Sequence, residues 1–460
     1  MMKLDRMMIA APKSGSGKTT LTCALLQTLK DAGKNVVSYK CGPDYIDPMY
    51  HQKVLDIPSK NSDTFFTGEE ETKWLFLKNR TEKDFAVIEG VMGLYDGLGG
   101  IREEGSSYHL AKVTKTPIIL VVDAKGMGRS VLPLIKGFMD YDKEQLIKGV
   151  ILNRMSGAYY KTMKPLIEKD LSVCVVGYFP ENKKLHIESR HLGLVMPDEL
   201  DDIKVQLQTA SVELKKTISI EQIMQIAAGA EDLECSEFDI DAADSFKGEV
   251  SPVIAVARDE AFCFYYEDNL MLLQDYGAEI VYFSPLHDKE IPENCHGILL
   301  GGGYPELYME KLSQNESMKA SIRKAIYHHM PIVAECGGFM YLHKEMTDDK
   351  GRTYEMVGAI DGNGIYTGKL VRFGYVELRE KCANFLPEDT CIRGHEFHYF
   401  DSSRNGEDVV ARKPVTGRTY DCVIEMENSW LGFPHLYYPS NPQFAKNYVK
   451  KAKDSGVIIL

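Results

Sequence analysis

The chain predicts two α/β units, on three observations. Short apolar, β-rich runs alternate with helix-compatible segments through the first half, which is the βαβ rhythm of a parallel sheet. An acidic stretch over residues 229–250 then breaks the apolar pattern, and the same alternation resumes near residue 251. At 460 residues the chain is also long for one domain, because domains usually run to ~100–200 residues.

The elements follow in order. Residues 7–11 read as the first strand, 21–32 as a helix and 35–39 as the second strand. Residues 85–88, 117–122, 148–152 and 173–178 are further strands, each a short run rich in Val, Ile and Leu. Residues 220–228 have helical spacing and end the first unit at 228. Residues 229–250 are acidic and poor in apolar pattern, so they read as a linker. Strands are expected again at 253–257, 279–283, 297–300 and 331–334, with a helix over 268–276. The second unit therefore spans 251–460, and its basic tail, 446–453, reads as a solvated helix face.

Composition excludes several classes of function. No apolar run approaches the ~20 residues that a membrane span requires, so no membrane partner is expected. The apolar start leads straight into a glycine-rich loop, which makes it a strand rather than a leader and the cytoplasm the expected compartment. A net charge of −13 argues against broad binding to nucleic acid. A polyanionic ligand needs a locally basic pocket, for which Lys13, Lys18, Lys40, Arg154 and Arg190 are candidates. The ten cysteines form no CxxC or CxxxC pair, so most of them read as buried thiols of a reducing compartment rather than zinc ligands.

Two motifs carry chemistry. Lys13-Ser14-Gly15-Ser16-Gly17-Lys18-Thr19-Thr20 follows the first strand and opens a helix, which is the context of a phosphate-binding loop for ATP. Pro12 stands where the usual pattern has its first glycine, and Lys13 adds an early lysine. Phosphoryl transfer also needs carboxylates for Mg²⁺, and Asp44, Asp47 and Glu89 lie at the carboxyl ends of parallel strands. Asp47 and Glu89, with Thr19 of the loop, are the expected metal ligands. Asn153 follows its own strand and either offers an amide to adenine or caps the strand.

The second motif is Glu335-Cys336-Gly337-Gly338, a strand-to-helix turn shaped to expose a nucleophile. A helix N-terminus there is expected to lower the thiol pKa. Gly301-Gly302-Gly303 follows a separate strand and supplies N–H groups for an oxyanion hole, with Gly302, Gly303 and Gly337 as the candidates. Cysteine catalysis needs a base, and His435 is chosen over His395 and His398, which sit on a structural or ligand-facing strand.

These motifs, with the stretches 42–48, 89–97, 188–194, 255–266, 300–307 and 334–342, closely resemble the cobyrinic acid a,c-diamide synthase family of glutamine-dependent amidotransferases over nearly the whole chain. The phosphate loop itself resembles that of partition ATPases and dethiobiotin synthetases. The resemblance implies a dethiobiotin-synthetase-like P-loop domain followed by a class I glutamine amidotransferase domain, with ATP and Mg²⁺ as cofactors. It implies that ATP phosphorylates the c and then the a acetate of cobyrinic acid, and that ammonia from L-glutamine, released at Cys336, attacks each acyl phosphate. Lys40, Asp44, Tyr45, Asp96, Arg190 and His191 are then placed at the corrinoid substrate, and a homodimer is compatible with the reading. One departure is Tyr437, where related glutaminases have Glu and this family often has His; either the tyrosine hydroxyl or water is left to orient His435. Enzymes that amidate nickel sirohydrochlorin or hydrogenobyrinic acid share these motifs. A partition-type regulatory ATPase with a binding module is the alternative of a different class, against which Cys336 and the 301–303 loop speak.

Overall fold

A strand that is apolar on both faces must be covered on both, which favours a parallel sheet between helices. The computed structural model of the chain describes residues 4–78, 85–182, 189–190, 193–194, 203–235 and 251–455. It divides into two units, Met1–Phe238 and Asp239–Leu460.

The first unit is built on seven parallel strands: β1 (Arg6–Ala10), β2 (Val36–Cys41), β3 (Ser59–Ser62), β4 (Phe85–Glu89), β5 (Ile118–Asp123), β6 (Ile147–Asn153) and β7 (Cys174–Phe179), in the order β3-β2-β4-β1-β5-β6-β7. β1 lies between β4 and β5, with Met8 opposite Ile88 on one side and Ile118 on the other. Every residue of β1 and β4 is buried. The loop after β1 therefore leaves the sheet near its middle, beside the strand ends that carry Glu89 and Asn153.

The elements that were expected begin and end within about four residues of their observed bounds, as termini usually do. β3 was not foreseen, because Ser-Lys-Asn-Ser carries no strand signal; it is an edge strand held by pairing with β2. Arg6 is another surprise: it is fully buried, and its guanidinium donates to the carbonyls of Leu4, Thr114, Lys115 and Glu231. Of the acidic stretch, Ala230 and Leu233 are buried, Leu233 in the first unit's core, while residues 236–250 lie outside the described residues.

The second unit centres on a six-stranded sheet in the order Glu279–Phe283, Val253–Ala257, Gly297–Leu300, Ile332–Glu335, Ser429–Gly432 and Ile424–Met426. All neighbours are parallel except the last pair. After this sheet's fourth strand the chain builds a four-stranded sheet and a five-stranded sheet, the latter completed by His435–Leu436 beyond the last strand of the six-stranded sheet; of these the sequence analysis read only the strand carrying His395 and His398. The five-stranded sheet matters for the site, because Ile392–His398 pairs with His435–Leu436 and brings His395 opposite His435. The basic tail forms the helix Pro442–Ser455; Phe444, Ala445, Tyr448, Val449 and Ala452 are buried on it, and Lys450 is exposed. No helix among the described residues is long and apolar enough to cross a membrane.

Candidate functional site

In the first unit the phosphate loop is shaped by two contacts. Gly17 has φ of 91°, a left-handed conformation that favours glycine, and a Cβ there would lie 2.3 Å from the Asn153 amide nitrogen. Asn153 donates that amide to the Ser16 carbonyl at 2.8 Å, and the Ser16 hydroxyl donates to the Lys13 carbonyl at 2.9 Å. Asn153 thus braces the loop from the end of β6. Lys13, Ser14 and Gly15 are exposed, whereas Lys18 is buried and donates to the Met92 carbonyl at 2.6 Å. Burial first, and then the nearby charge of Lys40, lower the Lys18 pKa to about 8.

Beneath Lys18 lies a buried cluster of charges. The Thr19 hydroxyl donates to Glu89 at 2.6 Å and stands 3.5 Å from Asp47. The Lys40 ammonium donates to Asp47 and, at 3.0 Å, to Glu89, and it is 3.9 Å from Asp44. Burial opposes a charge on Lys40, but Asp47 and Glu89 hold it well above the usual lysine range. Burial opposes the Glu89 carboxylate in the same way, and Lys40 holds it well below the usual range. The structure brings Thr19, Lys40, Asp44, Asp47 and Glu89 together around one point. Two carboxylates and a hydroxyl are the hard oxygen donors that Mg²⁺ takes, the remainder coming from phosphate and water. Among the described residues no group of three or more His, Cys, Asp or Glu could hold a metal by itself.

The flanking residues occupy defined places. Asp44 accepts from the N–H groups of Ile46 and Asp47 and so starts the short turn on which Asp47 sits, next to the buried Tyr45. Asp96 is exposed and accepts from the Gly93 N–H at 3.1 Å. Arg190 lies in a two-residue strand paired with Gly193–Leu194, and His191 lies outside the described residues. His51 was missed. It is fully buried, its Nδ1 meets Ser38 at 2.9 Å and Ser59 at 3.2 Å, and its Nε2 is 3.5 Å from Glu89. Nothing in its sequence neighbourhood marks it, since only the pairing of β2 with β3 and β4 assembles those contacts.

In the second unit Cys336 joins the strand Ile332–Glu335 to the helix Gly337–Tyr341 with φ of 46° and ψ of −100°. A non-glycine residue in that conformation is strained, and such strain gathers at functional sites. The Cys336 N–H donates to the Gly432 carbonyl at 2.8 Å, and its carbonyl accepts from Met340 at 2.9 Å, so neighbouring elements hold the turn. The expected lowering of the thiol pKa is corrected by the structure. Burial and the half-buried Glu306 push the Cys336 thiol up, outweighing the helix terminus. The thiol consequently needs a base to take its proton.

His435 is the expected base. It is 2% exposed, and its ring stacks on His395 with centroids 4.9 Å apart and an 18° interplanar angle. Gly302 lies against the ring, where a Cβ would come within 2.3 Å of Cε1. Gly302-Gly303 pairs with Phe262–Phe264, and a Cβ on Gly337 would sit 3.3 Å from the Gly303 nitrogen. The glycine loop, the cysteine turn and His435 therefore converge. Burial, then the charge of His398, lowers the His435 pKa to about 3, so its resting form is the neutral imidazole that a base requires. His398 itself stacks on Phe433 at 4.0 Å and bonds the Phe400 carbonyl. Glu335 was quoted with the cysteine motif but given no role. Its Oε2 stands 3.9 Å from His435 Nδ1. A carboxylate immediately before Cys336 was the available signal.

Comparison with known proteins adds to this geometry. Residues 7–195 match the profile of the CobQ/CobB/MinD/ParA nucleotide binding domain, and residues 253–438 that of the CobB/CobQ-like glutamine amidotransferase domain. The chain is 39% identical over 453 residues to the cobyrinate a,c-diamide synthase of Caldanaerobacter subterraneus subsp. tengcongensis, covering 98% of each chain. It is 37% identical to the protein of that name in Dehalococcoides mccartyi, covering 98% of this chain and 99% of the other. Identity to the one in Listeria innocua is 38%, over 95% of this chain and 97% of the relative. The amidotransferase match sets aside a purely regulatory ATPase.

Proposed function

The chain belongs to the cobyrinate a,c-diamide synthase family and is a glutamine-dependent amidating ligase, and from that premise we propose that it amidates the a and c acetate carboxylates of cobyrinic acid through acyl phosphates. The observation that carries this reading is that one chain holds both a braced phosphate loop with Lys18, and a strained cysteine turn facing His435 across a glycine loop. Residues 1–228 are assigned to the ATP-dependent step, 229–250 to the linker and 251–460 to glutamine hydrolysis. We place the reaction in the cytoplasm.

In the first unit the loop residues 13–20, with Asn153 behind them, cradle the phosphates of ATP, and Lys18 reaches the transferring phosphoryl group. A substrate carboxylate oxygen attacks the γ-phosphorus, ADP leaves, and an acyl phosphate results. Thr19, Asp47 and Glu89 would hold Mg²⁺, which neutralises charge between the β and γ oxygens when bound. Lys40 donates to both carboxylates and keeps Glu89 ionised, while burial and then Asp44 and Glu89 push the Asp47 carboxyl up. Together with Asp44, Tyr45, Asp96, Arg190 and His191, Lys40 is assigned to the corrinoid.

In the second unit His435 accepts the Cys336 proton as sulfur adds to the glutamine amide carbon, and the tetrahedral oxygen is received by Gly302, Gly303 and Gly337. His435 then returns the proton to the departing nitrogen, leaving a thioester that water hydrolyses to glutamate. The released ammonia displaces phosphate from the acyl phosphate, and each carboxylate becomes an amide.

Mass spectrometry of products formed with ATP, Mg²⁺ and glutamine tests the reading. Cobyrinic acid should gain two amides, at a and c. Preferential diamidation of nickel sirohydrochlorin or hydrogenobyrinic acid would instead reassign the macrocycle, and no amide on any of the three would overturn the proposal.

A further inference from the structure

The imidazole that deprotonates a thiol works only if one ring nitrogen is fixed and the other left free, and a carboxylate at Nδ1 is the common device. Two residues after His435, where related glutaminases carry Glu, this chain has Tyr437, whose hydroxyl donates to Asp268 at 2.9 Å. A carboxylate approaches the ring from another element, at ion-pair rather than hydrogen-bond distance. Glu335 ends the strand Ile332–Glu335, is 5% exposed, and turns Oε2 toward His435 Nδ1 at 3.9 Å while Oε1 accepts from the Leu436 N–H at 3.3 Å. Its register is set by pairing with Gly432, three residues before His435.

We propose that Glu335 is the positioning residue of the glutaminase half, holding His435 by Nδ1–H so that Nε2 takes the Cys336 proton, and balancing the charge the ring then acquires. The inference rests on the reading of Cys336 and His435 as nucleophile and base. One ring face is covered by His395, and the Cε1 edge meets Gly302. What remains is which nitrogen points where, and Glu335 decides that. Because Glu335 and Cys336 are adjacent on one strand-to-helix turn, the turn that exposes the nucleophile also sets the orienting group.

Burial pushes the Glu335 carboxyl up to about 8, so its ionised, accepting form grows as pH rises through that value. Tyr265 and Tyr438 face it, both held well above the usual phenol range by burial, and Cys336 and His435 are its other titratable neighbours. His395, His398 and Glu396 surround His435. Glu306, pushed to about 7 by burial, titrates in the same range, so a variant and not the midpoint assigns the limb.

The experiment compares wild type, Glu335→Gln and Glu335→Asp for glutamine hydrolysis from about pH 6 to about pH 10, with ammonium-supported synthesis measured beside it. Glu335→Gln should lower kcat for glutamine at least about 10-fold, less than the ~10²–10⁴-fold expected for losing the base itself, with KM for glutamine changed by less than about two-fold. The rising limb near pH 8 should vanish in Glu335→Gln and return in part in Glu335→Asp, while both variants still use ammonium. Wild-type kcat with an unchanged limb in Glu335→Gln overturns the proposal. So does equal loss with both nitrogen sources, which would make Glu335 a folding residue. A wild-type chain that hydrolyses no glutamine overturns the parent reading instead.

Discussion

Lys18 meets two demands that pull against each other: it must be desolvated to act strongly on phosphate, and desolvation loosens its proton. Its pKa of about 8, set by burial and then by Lys40, lies within reach of ordinary buffers. A bound phosphate favours the ammonium, so ATP binds the protonated form and raises this pKa on binding. The affinity for ATP should therefore be flat with respect to Lys18 below about pH 8 and fall above it, by at most ~10-fold per pH unit. Calorimetric titration of ATP with Mg²⁺ from about pH 6.5 to about pH 9.5 checks this, and an affinity that rises with pH would contradict it. Lys40 is held ionised by Asp47 and Glu89 and adds no such limb.

At the scale of elements, catalytic side chains here are placed by backbones that come too close for any residue but glycine. The strand Gly302–Gly303 meets the Cε1 edge of the His435 ring, and a methyl group on Gly302 would lie 2.3 Å from Cε1, inside any tolerable contact. The ring must then tilt off its stack with His395. Gly302→Ala should lower glutamine turnover by about 10²-fold or more, in line with the cost of misplacing a general base, and leave ammonium-supported synthesis near wild type. Parallel kinetics with the two nitrogen sources reads both. Elements of this central kind were legible in the sequence, because strands buried on both faces are nearly continuous apolar runs and the two glycine loops follow such strands. β3 was hidden because an edge strand of Ser, Lys, Asn and Ser is stabilised by its ladder and not by its side chains. The strand Arg372–Glu380 was hidden because only Val376 and Leu378 of its nine residues are buried. Lys18, Thr19, Glu89, Cys336 and His435 could be named from motifs; His51 and the pairing of Glu335 with His435 could not, since each depends on side chains from separate elements meeting in the interior.

For the whole molecule, the residues proposed for each step fall within one unit, and the prediction that follows concerns their separation. Lys18, Thr19, Asp47 and Glu89 all fall within Met1–Phe238, whereas Cys336, His435, Glu335 and the glycine loop fall within Asp239–Leu460. Acyl phosphate formation calls on no thiol, and free ammonia needs no glutaminase, so Cys336→Ala should abolish glutamine-supported synthesis and retain synthesis from ammonium salt. Lys18→Ala should abolish both, because without charge on the transferring phosphoryl group there is no electrophile for either nitrogen source to attack. The reciprocal control is glutamine hydrolysis in Lys18→Ala, which should persist, since the lysine does not touch that chemistry. Product formation by mass spectrometry and glutamate release, measured on both folded variants, give four readings. Loss of ammonium-supported synthesis in Cys336→Ala, or survival of any synthesis near wild-type rate in Lys18→Ala, would mean that the two chemistries are not divided between the two units as their residues are.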